Sequence, residues 1–380
     1  MEQQYDIAVI GAGPAGSTAA LYLTRSHFRT CLIEKKTFPR ETVCGEFLSG
    51  EVTDILRDLN LLKQFRSLHP NTITSFRYNS EQSRSYHTAL PFVAYALKRG
   101  AFDAFLLDHA RKAGATLYQP ATVEQVVKNG AQYELSLNVD GRHEVITSRT
   151  VIGAYGKSGP LDKMLQRDFL GGKSRLNGIK FHVPQKVMRN VLSHEIQIFT
   201  AKDMYCGVNA VDDETVTVCF LERHLPGGAP ARERIMELAK LNTYFAELVS
   251  AGFVESIDSF PCYGAGDIFF GKKNIVENGI FMIGDASRVI APIAGDGIGL
   301  AMESARVLSS VLEEGRKKVW NNNTLAGMYQ TKWNVQFRRR LYVAQKLQAM
   351  LLSHIGKKAS EALLGGFPSL LSVAIEQTRS

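Results

Sequence analysis

The hexapeptide Gly11-Ala12-Gly13-Pro14-Ala15-Gly16 follows an apolar run at 7–10 and opens a run of small and apolar residues at 17–23. A second apolar run at 30–34 ends in Glu34, so the first 34 residues read as strand, glycine turn, helix and strand, one βαβ unit. Gly11 permits the tight turn, Gly13 lets the backbone approach a pyrophosphate, and Gly16 lets helix and strand pack closely. The helix start at Pro14 and Ala15 offers free N–H groups and a positive dipole end to phosphates. Glu34 stands where a carboxylate accepts hydrogen bonds from ribose hydroxyls, and Lys35 beside it joins the expected contacts. The unit points to a doubly wound α/β fold that binds a dinucleotide, without saying which one.

A second signal lies far downstream. A short apolar run at 279–283 ends in Gly284-Asp285, and the turn Gly295-Asp296-Gly297-Ile298 then opens a helical run. A carboxylate at Asp285 suits ribityl hydroxyls. A helix start after Gly297 aims backbone N–H groups at the flavin N1/O2 edge, where negative charge develops on reduction. The two signals complement each other and select FAD. Since only one dinucleotide fingerprint is visible, NAD(P)H, if it is the electron donor, would bind transiently and without a Rossmann domain of its own.

With these motifs the sequence resembles flavoprotein oxidoreductases of the aromatic-hydroxylase fold, most closely the geranylgeranyl reductase family. The loop Pro39-Arg40-Glu41-Thr42-Val43-Cys44-Gly45-Glu46 is similar to that branch's Pro-Arg-Asp-Lys-x-Cys-Gly-Glu, and 284–298 to its Gly-Asp-Ala…Pro…Gly-Glu-Gly-Ile. Arg99-Gly100-Ala101-Phe102-Asp103 resembles the family's Arg-x-x-Phe-Asp, whose arginine approaches FAD. The resemblance thus implies cofactor contacts from Arg40, Cys44 and Arg99, with Cys44 on the substrate face or responding to redox state and Glu46 as a proton donor. Two departures stand out. Tyr155 replaces the aspartate of the usual Gly-Ala-Asp-Gly, and no Trp-x-Trp-x-Ile-Pro occurs, which disfavours the halogenase relatives.

The expected architecture is a discontinuous FAD-binding domain of the Rossmann-like, aromatic-hydroxylase or glutathione-reductase type (1–67, 98–165 and 275–312). A mostly antiparallel β substrate domain follows (68–97 and 166–274), with a helical C-terminal region (313–380). Helices are expected at 52–65, 101–113 and 232–251, and an antiparallel sheet at 178–222 with turns at 203–207 and 212–214.

Five cysteines, an odd number without a CxxC pair, and nine scattered histidines argue against a disulfide framework and a metal site. The start lacks signal-peptide character and no apolar stretch approaches the roughly 20 residues a bilayer span needs, so the expected location is cytoplasmic. Of the net charge of +8, most sits at the C-terminal end, where 303–380 hold 12 Lys/Arg against 5 Asp/Glu. Such a surplus suits a solvated helix surface or a peripheral membrane contact, and no nucleic-acid partner is expected.

The favoured function is flavin-mediated reduction or oxidation of carbon–carbon bonds in a lipophilic isoprenoid or polyketide-type substrate. The alternatives are an NAD(P)H- and O₂-dependent hydroxylase and an FAD-binding, membrane-associated scaffold or redox sensor. Fold alone does not separate them.

Overall fold

Two eight-stranded sheets organise the chain, for which the computed structural model describes residues 3–172, 176–223, 230–318 and 320–379. The first is centred on Gln3–Ile10, which pairs in parallel with Thr30–Ile33 on one side and with Arg142–Gly153 on the other. Ile280–Met282 continues the parallel set beyond Arg142–Gly153. Ile7, Ala8 and Val9 are fully buried, as a parallel strand covered on both faces requires. The helices Pro14–Arg25, Arg99–Lys112 and Gly297–Arg316 pack together on one face.

Close approach explains the glycines of the first turn. Gly11 has φ +103°, and a Cβ there would lie 2.5 Å from the Ala154 carbonyl oxygen. A Cβ on Gly16 would lie 1.9 Å from the Gly11 oxygen. Helix, turn and the end of Arg142–Gly153 are therefore in backbone contact, leaving Gly11 and Gly16 no room for a side chain.

The second sheet runs Cys262–Ala265, Leu176–Pro184, Thr215–Arg223, Met204–Ala210, Glu195–Ala201, Asn71–Asn79, Ser85–Ala96 and Phe47–Leu48. Its pairings are antiparallel except for Glu195–Ala201 against Asn71–Asn79. Strand alternation divides its faces. Phe181, Val183, Phe199, Val208, Val218 and Phe220 form a core beneath three short helices, while Lys180, His182, Thr217 and Cys219 point the other way.

Several local expectations change. The segment 203–207 is not a turn: Met204–Ala210 is a strand, and the chain reverses at Lys202-Asp203, where Asp203 has φ +58°. The helix expected at 232–251 is three, Ala231–Leu241, Thr243–Leu248 and Ala251–Ser256, because the side chains of Asn242 and Ser250 cap new starts. The helix expected at 52–65 is likewise split into Gly50–Asp58 and Leu62–Arg66, with Asn60 at φ +52° between them. Phe47–Leu48, within the range assigned to the dinucleotide domain, pairs with the second sheet. From Gly297 onward the chain is helical, through Asn322–Leu351, His354–Gly366 and Leu370–Gln377. Asn321 caps the long helix by accepting the Asn323 and Thr324 N–H groups at 2.9 and 3.1 Å.

Candidate active site

The first βαβ turn leaves one face of its backbone open. At Gly13 the nearest atom to the place of a Cβ is Arg40 Nη2, at 3.4 Å. The first-turn N–H groups at Ala15 and Gly16 have no intrahelical partners. Arg40 rests on Phe38 and reaches Asp103 at 3.5 Å, yet its buried Nε has no partner among the described residues. A cation with a spare donor beside an open glycine and a helix N-terminus fits a pyrophosphate. Glu34 is buried and accepts the Ala12 and Lys36 N–H groups, both at 2.9 Å, tying the glycine turn to the end of the second strand, where its carboxylate could also accept from ribose hydroxyls. Lys35 is exposed at the rim.

Ile280–Met282 delivers the second half. Gly284 has φ +58°, and a Cβ on it would stand 2.9 Å from that of Ala15, so both halves meet at the helix Pro14–Arg25. Asp285 is partly exposed, and its carboxylate has no hydrogen-bond partner among the described residues, which suits ribityl hydroxyls. Gly295 takes the left-handed conformation, φ +61°, and Gly297 and Ile298 start the helix Gly297–Arg316 with only Ile290 near the place of a Gly297 Cβ. The residues present therefore fit FAD: Gly13 and Arg40 would take the phosphates, and Gly297 and Ile298 would face the ring edge.

Asp296 departs from the expected cofactor contact. Its side chain turns inward, accepts the Ser49 hydroxyl at 2.8 Å and pairs with Arg340 of the long helix, while Arg379 lies 3.6 Å away. Glu303 joins Arg340 at 2.5 Å, and Glu51 lies 3.6 Å from it. Three carboxylates share two guanidiniums. Burial and the Glu51 charge push the Asp296 carboxyl up to about 7 against the pull of Arg340 and Arg379. Asp296 thus anchors the C-terminal helices, and only its backbone belongs to the flavin turn.

Arg99 also differs from a free cofactor ligand. It makes a bidentate pair with Asp103 at 2.8 and 2.8 Å, which accounts for the Arg-x-x-Phe-Asp spacing as an i,i+4 contact on one helix. Arg99 also lies beside the Cys44 thiol. Cys44 is partly exposed, and its Sγ accepts the Glu46 N–H at 3.3 Å.

Glu46 sits fully buried at φ +58° where loop, helix and second sheet meet. Its carboxylate accepts Lys180 Nζ at 3.0 Å, His182 Nε2 at 2.7 Å, Thr217 Oγ1 at 2.5 Å and the Arg99 N–H at 2.8 Å. Burial opposes its charge, but the His182 hydrogen bond and the Lys180 charge outweigh that and lower its carboxyl to about 2. A carboxylate so held has no proton to give at neutral pH, which contradicts the donor role expected for Glu46. An ionised Glu46 only accepts, so His182 Nε2 must donate. That leaves Nδ1 as the ring nitrogen without a partner among the described residues. Glu41, Glu46 and His182 offer atoms within 4.8 Å of one another, but Lys180 already bonds both carboxylates, at 2.6 and 3.0 Å, and supplies the cation there.

Lys180, His182 and Thr217 were absent from the sequence expectations. The signal available was the strand Ile179-Lys180-Phe181-His182-Val183, where long polar residues alternate with core residues and so must face something polar. Tyr155 is explained by packing. Its ring fills the space beside Gly153 and Gly159, and its hydroxyl bonds Asp162 at 2.5 Å and Arg167 at 2.8 Å.

The chain belongs to the FAD binding domain family, which it matches over residues 4–320. It is an FAD-dependent oxidoreductase. Conditioned medium factor receptor 1 of Dictyostelium discoideum is 26% identical over 92% of this chain and 71% of its own. A digeranylgeranylglycerophospholipid reductase of Thermoplasma volcanium is 26% identical over 92% of this chain and 89% of its own. A myxobacterial chondrochloren halogenase has the same fold, with a TM-score of 0.79 at 16% identity, covering 98% of this chain and 91% of the halogenase.

The purified protein should be yellow and release FAD on denaturation. Glu34→Arg should fold, by circular dichroism, yet retain and rebind far less FAD; unchanged retention would remove Glu34 from the site. The Glu46 charge predicts a pH signature. Its folded value, about 2, lies below the ordinary carboxylate range, so its contribution is complete above about pH 4.5 and is lost as pH falls toward 2. Denaturant titration should show wild type losing on the order of 3 kcal/mol more than Glu46→Gln across that window. Parallel pH profiles for the two proteins would contradict an ionised Glu46.

Proposed function

We propose that the chain saturates a carbon–carbon double bond of a lipophilic isoprenoid substrate, as a reductase of the geranylgeranyl reductase kind. The observation that carries this reading is the seam itself. A partly exposed cysteine lies beside Arg99, and two loop positions on, a fixed carboxylate holds a histidine on the facing sheet. Bound FAD supplies the hydride equivalent. Saturation also requires one proton, and the protein's residues meet that need. Glu46 accepts Nε2–H and fixes the imidazole, so that the proton passes through Nδ1, the ring nitrogen without a partner among the described residues, and solvent restores it. Arg99 and the loop backbone hold Cys44 against the same space, so that Cys44 shapes the substrate face.

Two further observations favour reduction over hydroxylation. Tyr155 is committed to Asp162 and Arg167, so it offers no contact to a nicotinamide at the position where the hydroxylase pattern has aspartate. The digeranylgeranylglycerophospholipid reductase also aligns along most of both chains.

Dithionite-reduced protein, kept without oxygen and mixed with a geranylgeranylated glycerolipid, should be reoxidised and give a product heavier by two hydrogen atoms. Cys44→Ala and His182→Gln should both retain FAD. His182→Gln should slow reoxidation roughly 100-fold, the usual scale for a lost general acid. Reoxidation only with O₂, and a product heavier by one oxygen atom, would replace this reading with a hydroxylase.

A further inference from the structure

The helix Asn322–Leu351 contains five Lys/Arg and no acidic residue, and from 321 to the C-terminus the only acids are Glu361 and Glu376. Glu361 is buried. The solvent face of the long helix presents Val335, Arg338, Arg339, Tyr342 and Lys346 at helical spacing, and Lys346 lies over the Tyr342 ring. Val335 is 83% exposed.

The next two helices end in an apolar tip. Residues 365–370, Gly-Gly-Phe-Pro-Ser-Leu, are all exposed, with Phe367 at 65%. Leu363, Leu370 and Val373 are exposed around it. Tip and basic face are contiguous: Val373 and Gln377 share a face of Leu370–Gln377, and the Gln377 side-chain oxygen accepts from Arg339. On the other flank Arg84 lies beside Gly365, its Nη1 3.2 Å from the place of a Cβ there. Solvent-facing aliphatic and aromatic groups ringed by cations are costly to display in water unless they are used.

We propose that this surface docks the protein on an anionic lipid bilayer, with Phe367 and Leu370 entering the interface and Arg84, Arg338, Arg339 and Lys346 facing the headgroups. The charge selects a negative partner and disfavours a second copy of this same basic face. The shape selects a bilayer over an acidic protein, because the apolar residues are exposed together on the turn between two helices, the form that enters a lipid interface. The inner side of these helices, Leu351, Leu364 and Leu371, packs with Tyr78, Ile198 and Ile293 next to the Pro292 end of the flavin turn. A docked molecule would thus hold its flavin turn behind the membrane-facing helices. The inference stands independently of the reductase reading, since it rests on surface residues alone.

The test is co-sedimentation of the FAD-loaded protein with phosphatidylcholine vesicles, with and without phosphatidylglycerol. Binding should require the anionic lipid and weaken with salt. Arg338→Gln and Lys346→Gln should each lower affinity about fivefold. Phe367→Ser should weaken binding while leaving FAD content unchanged, and the Phe367→Trp variant should show a blue-shifted tryptophan emission on anionic vesicles that wild type does not. No association at low salt, equal association with phosphatidylcholine alone, or an emission from Phe367→Trp that stays unmoved during binding would overturn the proposal. So would a self-associated state in solution that Phe367→Ser dissolves, which would make the tip a subunit interface.

Discussion

A carboxylate removed from water must be surrounded by donors, and the buried Glu46 imposes that requirement on three parts of the fold at once. Lys180, His182 and Thr217 come from two neighbouring strands of the second sheet, and the fourth donor is the backbone N–H of Arg99 at the start of a helix of the first domain. Because Glu46 itself holds a left-handed backbone conformation, a cost on the order of 1–3 kcal/mol, the loop is determined from both sides. Cys44, two residues earlier, inherits that fixed position through the Glu46 N–H. The loop Pro39–Glu46 is thus tied to the second sheet through the ionised Glu46, while Phe38 and Cys44 at its two ends pack against the main core.

A second buried ion cluster does the corresponding work at the start of the helix Gly297–Arg316. Asp296, Glu51 and Glu303 bind Arg340 and Arg379, so the helix N-terminus offered to the flavin edge is tied to the end of the chain. Between the two clusters the dinucleotide cleft is defined by absent side chains: Gly11 and Gly16 allow strand and helix to touch, and Gly284 allows the second strand end to meet Ala15. Close backbone contact builds the turn that would take the phosphates, and ion networks fix the loop and the helix start that would border the ring. Neither relies on the loops finding their own conformation.

The sequence announces the phosphate end because its chemistry is local. A strand, three glycines at fixed spacing, a helix and Glu34 lie within 34 residues, and each has a separate steric or hydrogen-bonding reason. The ring-end seam is not local: Glu46 meets His182 and Thr217 136 and 171 residues away, and no spacing encodes such a pair. Asp296 shows a related limit. Its place at a helix N-terminus is readable, but the direction of its side chain is decided by Arg340, 44 residues later. The segment Tyr205-Cys206-Gly207 looks like a turn because of its glycine, while pairing on both edges keeps it extended. Tyr155 reads as a departure from the usual Gly-Ala-Asp-Gly, and the structure gives it an inward role for which Gly153 and Gly159 make room.

The central claim is that Glu46 is a permanent anion that sets the proton-bearing nitrogen of His182. Nitrogen-15 NMR of the histidine ring in FAD-loaded protein at neutral pH tests it directly, with His182→Gln to assign the signal. The account predicts a hydrogen-bonded proton on Nε2 that loses this signature in Glu46→Gln. A ring with Nε2 unprotonated and its single proton on Nδ1, or a signal indifferent to Glu46→Gln, would contradict it.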